Sequence, residues 1–178
     1  MFADPAKNIE QLELTRNMMV ADLGSGTGFY TIAAAKKIKG GDGRVYSVEV
    51  QRDLLKHIEE LAKKDGLNNI DYIWGNIEKR GGTKIRDHII DCVIASNVLF
   101  QVEDRNGFID EVKRILKPTG KILLIDWTES FGGMGPAGDH VVTAMKAETL
   151  FTAAGFKKVK AIEAGAHHYG IIFSAHEN

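Results

Sequence analysis

The sequence predicts an α/β domain in three layers, with a largely parallel β-sheet between two layers of helices. Three observations predict it. Short strand-like runs alternate with segments of helical period along the whole chain, and the fourth run is almost continuously apolar, as in sheets covered on both faces. A glycine-rich turn joins the first strand to the first helix of this alternation. The 178 residues fit one domain, residues 1–178, and no repeat, low-complexity tract or linker marks a second.

The elements follow in order. Met18–Leu23 reads as a buried strand, and a helix runs from about Phe29 to Lys39, where Gly40 and Gly41 end it. Arg44–Val48 is the second strand. The next helix, from about Asp53 to Asp65, carries Leu54, Leu55, Ile58, Leu61 and Ala62 at helical spacing and stops at Gly66. Ile70–Trp74 is a third strand and Ile89–Ala95 a fourth. A helix over Asn106–Leu116 is stopped by Lys117-Pro118-Thr119-Gly120, and Lys121–Trp127 is the fifth strand. A loop through Gly138 follows, then a helix from about Lys146 to Ala154 and two strands, about Phe156–Ala164 and Tyr169–Ala175. Such alternation gives parallel strands joined by right-handed crossovers, whose ligands bind beyond the carboxyl ends of the strands.

Composition narrows the class. Apolar residues make up 44% and charged residues 26%, as in a soluble globular protein. No apolar run reaches the roughly 18 residues that span a bilayer, and the first residues lack a secretory pattern, so the expected location is cytoplasmic, away from membranes. Cys92 is the single cysteine, which excludes an internal disulfide and a thiolate zinc cage. Twenty-three Lys and Arg face 24 Asp and Glu, and this net charge of −1 counts against nucleic acid as a partner. Lys36, Lys37 and Lys39, and Lys157, Lys158 and Lys160, read as solvated surface. Nothing in the pattern selects an oligomeric state.

The chemistry lies at the glycine turn. In Asp22-Leu23-Gly24-Ser25-Gly26-Thr27-Gly28-Phe29, three glycines at alternate positions let the backbone approach a ligand at a helix N-terminus. A dinucleotide fingerprint requires glycine where Phe29 stands, which weakens that reading. Glu49 ends the second strand, where a carboxylate can accept both hydroxyls of a ribose. The competing reading is a plain glycine turn with an incidental surface Glu.

On these residues the chain resembles the class I S-adenosylmethionine-dependent methyltransferases over nearly all its length. Asp22–Gly28 matches their first motif, Glu49 their ribose-binding acid, and Ile115–Ile122 their late helix-to-strand signature, with Thr119 in place of a glycine. The resemblance implies a Rossmann-like, seven-stranded sheet in the order 3-2-1-4-5-7-6 with the last strand antiparallel. It implies S-adenosylmethionine as cofactor and S-adenosylhomocysteine as product. The cofactor would be held by Asp22, Gly24, Ser25, Gly26, Gly28, Phe29, Glu49, Val50, Asn76, Ile77, Ser96 and Asn97. Asn76 stands where many members carry Asp, and Ile77 would flank the adenine. Ser96–Asp104 and His167–Phe173 resemble small bacterial and archaeal members, a pattern that sets no reaction.

Methyl transfer from a sulfonium is an in-line displacement, so the protein chiefly positions the acceptor. The carboxyl edge of the sheet offers Asp126, His140 and His168 as catalytic candidates, with Trp127, His167 and Tyr169 lining the acceptor pocket. The three histidines are expected to converge there; the competing reading makes each a turn residue. A metal held by Asp126, His140 and His168 is compatible in ligand type, but no metal is assigned. Asn97 lacks the prolines of the amino-group methyltransferase motif, and Cys92 reads as core. The 128–140 loop, with Met134 near its middle, is a candidate lid. The leading function is methylation of a small molecule. An RNA or protein methyltransferase, a nicotinamide-dependent oxidoreductase and a non-catalytic cofactor-binding module are the alternatives.

Overall fold

The computed structural model describes residues 3–131 and 135–175. Gly132, Gly133 and Met134 of the candidate lid lie outside the described residues. The strands are β1 (Met19–Leu23), β2 (Arg44–Glu49), β3 (Ile70–Trp74), β4 (Ile90–Ser96), β5 (Leu116–Trp127), β6 (Lys157–Glu163) and β7 (His168–Ser174). They form one sheet in the order β3-β2-β1-β4-β5-β7-β6. β7 runs antiparallel to β5 and β6, and the other pairings are parallel. This is the expected order and the expected α/β class.

The helices are α1 (Pro5–Glu10), α2 (Phe29–Lys37), α3 (Arg52–Lys64), α4 (Arg105–Ile115) and α5 (Ala144–Ala153). The sequence reading left α1 out. Its signal is Asp4-Pro5: the Asp4 carboxylate accepts from the amides of Ala6 and Lys7, and Pro5 occupies a first-turn position that needs no N–H. β5 also begins five residues early, because Leu116 turns extended as soon as α4 ends. Leu116 pairs with Ile90, the register then shifts, and pairing resumes with Lys121 opposite Cys92. Pro118, which has no ladder donor, falls in that irregular stretch.

Alternation along the strands divides the core into two clusters. Ala21, Leu23, Val93, Ala95, Ile122 and Leu124 belong to the cluster with α4 and α5. Val20, Cys92, Ile94, Leu123 and Ile125 belong to the cluster with α1 and α2. Cys92 is buried, which pushes its thiol up to about 12 and keeps it protonated. β6 is the exposed edge strand, and Lys157, Lys158 and Lys160 give that edge a charge that discourages pairing with another sheet.

One buried ionic group ties the β3–β4 connection to α4. The fully buried Glu111 carboxylate accepts from Arg114, from the Thr83 hydroxyl and from the amides of Gly81 and Thr83. Burial opposes its charge, but the bonds from Arg114, Thr83 and Gly81 outweigh burial and hold the carboxyl down at about 2. Glu111→Ala leaves the Arg114 guanidinium short of its main partner, and urea unfolding should show a loss of about 3 kcal/mol. The folded value lies below the ordinary 4.5, so this contribution is present above 4.5 and disappears as pH falls towards about 2. Glu111→Gln should flatten the stability curve over that window.

Candidate functional site

The bend after β1 is built on residues that only glycine satisfies. Gly24 and Gly28 have φ of +73° and +84°. A Cβ on Gly24 would come within 2.8 Å of Val98 Cγ2, and one on Gly28 within 2.5 Å of Ile58 Cγ1. The end of β2 is stitched to the bend, with the amides of Gly24 and Ser25 donating to the Val48 carbonyl at 2.9 and 3.1 Å.

Side chains then lock it. The Thr31 hydroxyl donates to the Asp22 carboxylate at 2.5 Å, the Ser47 hydroxyl to Ser25 Oγ at 2.8 Å, and the Ser25 hydroxyl to the Asp22 carbonyl at 2.9 Å. Asp22 is nearly inaccessible, and burial pushes its carboxyl up to about 6; the Thr31 bonds oppose the rise and the Glu49 charge adds to it. Glu49, also buried, accepts from the amides of Gly26, Val50 and Gln51 at 3.0, 2.8 and 3.1 Å. These bonds fix the carboxylate at the carboxyl end of β2.

Two cavities meet at this bend. The first, about 280 Å³, is walled by Glu49, Val50, Leu54, Asn76, Ile77 and Val98. The second, about 360 Å³, is walled by Asp22, Ser25, Phe29, Tyr30, Ser96, Asn97, Trp127 and His168. Gly24, Gly26 and Gln101 belong to both. All twelve residues assigned to the cofactor from sequence border one of the two cavities, except Gly28, which sits behind the bend against Ile58. Asn76 turns its side-chain oxygen back to accept from the Glu78 amide at 2.8 Å. Gln101 was missed in the sequence. It sits in the turn after β4 and donates from Nε2 to the Asn97 carbonyl at 2.7 Å, a placement with no local sequence signal.

The acceptor-side candidates separate. Trp127 and His168 are register partners on β5 and β7, their rings 4.3 Å apart and tilted by 41°. Both border the second cavity. Asp126 and Tyr169 are the neighbouring register pair, so the pleat turns them to the opposite face, and neither borders a described cavity. Asp126 has no exposed surface and accepts from the amides of Leu99 and Trp127 at 2.9 and 2.8 Å, which pins the turn after β4. Its carboxyl is pushed up to about 6 by burial, against the lowering effect of those amides.

The three histidines have different settings. His167 stacks on Phe131 with centroids 3.8 Å apart and lies 3.1 Å from Glu129. His140 sits on the exposed 3-10 turn Gly138–His140 with Asp139 3.9 Å away, and it lines neither of the two cavities. Of the three histidines, His168 alone lines the second cavity. Among the described residues no cluster of three or more His, Cys, Asp or Glu is arranged to hold a metal ion.

The sheet order, the bare bend at its first switch of direction and the carboxylate at the end of β2 define a Rossmann-like domain built around a nucleoside-sized ligand. Comparison with known proteins identifies the class. The model of a methyltransferase domain matches residues 14–170, and the chain belongs to that family. It is 28% identical over 162 residues to the ubiquinone/menaquinone biosynthesis C-methyltransferase of Pectobacterium atrosepticum, covering 90% of this chain and 61% of that protein. The chain thus spans about three fifths of that relative's length. It is 29% identical over 107 residues to the arsenite methyltransferase of Halobacterium salinarum, covering 60% of this chain and 26% of that protein. Among solved structures, the SAM-dependent methyltransferase of Aquifex aeolicus superposes with a TM-score of 0.87 at 25% identity, over 98% of this chain and 90% of that one. The fold is that of a class I S-adenosylmethionine-dependent methyltransferase.

Two outcomes follow from this geometry. Gly28→Ala combines a left-handed backbone with a clash on Ile58, and denaturant titration should register a loss of about 2 kcal/mol. Asp126 and Asp22 have folded values of about 6 against an ordinary 3.8, so the folded state binds protons more tightly than the unfolded chain. Stability should fall as pH rises from 3.8 through about 6 and stay reduced above it. Asp126→Asn should remove part of that slope, with melting followed by circular dichroism across the window.

Proposed function

We propose that this protein binds S-adenosylmethionine in the two cavities that meet at Gly24 and Gly26 and transfers its methyl group to a small-molecule acceptor. The observation that carries the reading is this meeting of cavities at a bare backbone bend, with a fixed buried carboxylate on one side. The residues fit the group. Glu49 has its oxygens pre-oriented by three amides and keeps lone pairs for the ribose hydroxyls. Ile77 and Val50 flank the adenine, and the Asn76 backbone edges it. Asn97 supplies a buried side-chain oxygen with no partner among the described residues, which suits the ammonium of the methionyl part. Asp22 and Ser96 line the same end.

When bound, the cofactor supplies an electrophilic methyl group on a positively charged sulfur. The chain's task is then orientation. Trp127 and His168 form the wall on which the acceptor rests, and Asp126 and Tyr169 support that wall and the turn after β4 from behind. The relatives named for ubiquinone/menaquinone biosynthesis and for arsenite support a small acceptor, and a net charge of −1 favours it over RNA. No described helix is long and apolar enough to cross a membrane.

Calorimetry tests the reading. S-adenosylhomocysteine should bind and NADH should not; Glu49→Gln should weaken S-adenosylhomocysteine about tenfold, the equivalent of one charge-assisted hydrogen bond. Labelled methyl offered to fractionated cell extract should enter the small-molecule fraction. Label in RNA or protein, or saturation by NADH alone, would contradict the proposal.

A further inference from the structure

Among the described residues, His168 alone borders both the second cavity and a further open one of about 660 Å³, lined by α1 and the β6–β7 turn through Lys7, Asn8, Ile162, Glu163 and Ala164. That volume suits a small organic molecule. The imidazole is nine-tenths buried, yet neither ring nitrogen has a hydrogen-bond partner among the described residues. Leaving such a group bare costs free energy that a ligand can return. Burial, with the neighbouring His167 charge, lowers the affinity of this ring for a proton, so it offers one accepting and one donating nitrogen.

The surroundings limit what the ligand can be. Trp127 lies 4.3 Å from the His168 ring, and Phe131 stacks on His167 just outside, so four rings crowd the exit of β5 and the entry of β7. Such a wall favours a flat ligand. The third cavity carries Asp4 and Glu163 against a single cation, Lys7, which itself lies 3.9 Å from Asp4. An anionic acceptor meets repulsion there.

We propose that the acceptor is an uncharged flat ring bearing a hydroxyl group, of the phenol or enol class, laid on Trp127 with its O–H hydrogen-bonded to His168 and its remainder in the cavity beside α1. The proposal rests on the cofactor reading above and names the substrate class for that same site. His168 acts as the group that orients the hydroxyl beside the methyl donor.

The test uses the full chain saturated with S-adenosylhomocysteine and catechol as the probe, with benzoate as the charged control. Calorimetry should detect catechol and not benzoate. His168→Phe, which keeps a ring and removes both nitrogens, should weaken catechol about tenfold while S-adenosylhomocysteine affinity stays within about twofold. His168→Gln, which restores a donor and an acceptor, should recover part of the loss, and a melting curve checks that each variant is folded. Catechol binding indifferent to His168→Phe, equal losses for both ligands, or benzoate binding as well as catechol would each overturn the assignment. A wild-type protein that binds S-adenosylhomocysteine but no catechol overturns this inference alone. Failure to bind S-adenosylhomocysteine overturns the cofactor reading with it.

Discussion

The bend from Gly24 to Gly28 stays open because buried hydroxyl groups hold its two ends. Thr31, in the first turn of α2, donates to the Asp22 carboxylate near the end of β1, while Ser47 on β2 and Ser25 in the bend complete the chain back to the Asp22 carbonyl. Three elements are thereby fastened around a segment with almost no side chains of its own. Each hydroxyl is satisfied inside the protein, which makes the network rigid and expensive to disturb. A backbone so held presents its amides in a fixed arrangement, and both cavities of the site open from it.

The sheet imposes a second constraint, the two-residue period of its pleat. Asp126 and Trp127 are neighbours in sequence and end on different faces, as do His168 and Tyr169. Antiparallel pairing of β5 with β7 then matches Trp127 to His168 on the cavity side and Asp126 to Tyr169 behind it. One layer lines the second cavity and the other is packed into the protein. The Asp126 carboxylate holds the Leu99 amide, so the turn bearing Asn97 and Gln101 keeps its place over the two cavities. Asn97 is held there with φ of +58°, a conformation that most side chains avoid.

Much of this is legible in the sequence. The alternation of strands and helices, the glycine spacing and the acid ending β2 are local patterns, and family resemblance supplied the strand order. Local patterns also had blind spots. α1 is six residues long, too short for periodicity, and only the Asp4-Pro5 cap announces it. Thr31 looks like any polar helix residue until the fold turns it under Asp22. Gln101 enters the site because a turn carries it there. Asp126 and Trp127 both end β5 at the expected edge, but proximity to an edge does not say which face a residue occupies, and it is Trp127 that lines the second cavity.

By itself the sequence determined the class of fold, the glycine bend after β1 and the carboxylate that ends β2, because each is encoded by residues near one another or by a repeating period. The tertiary structure alone decided which aromatic and titratable residues share a cavity. That choice depends on strand register and on the face each residue takes, and a shift of one position would exchange His168 for Tyr169. Register is set by contacts between segments far apart in the chain, so no local reading contains it.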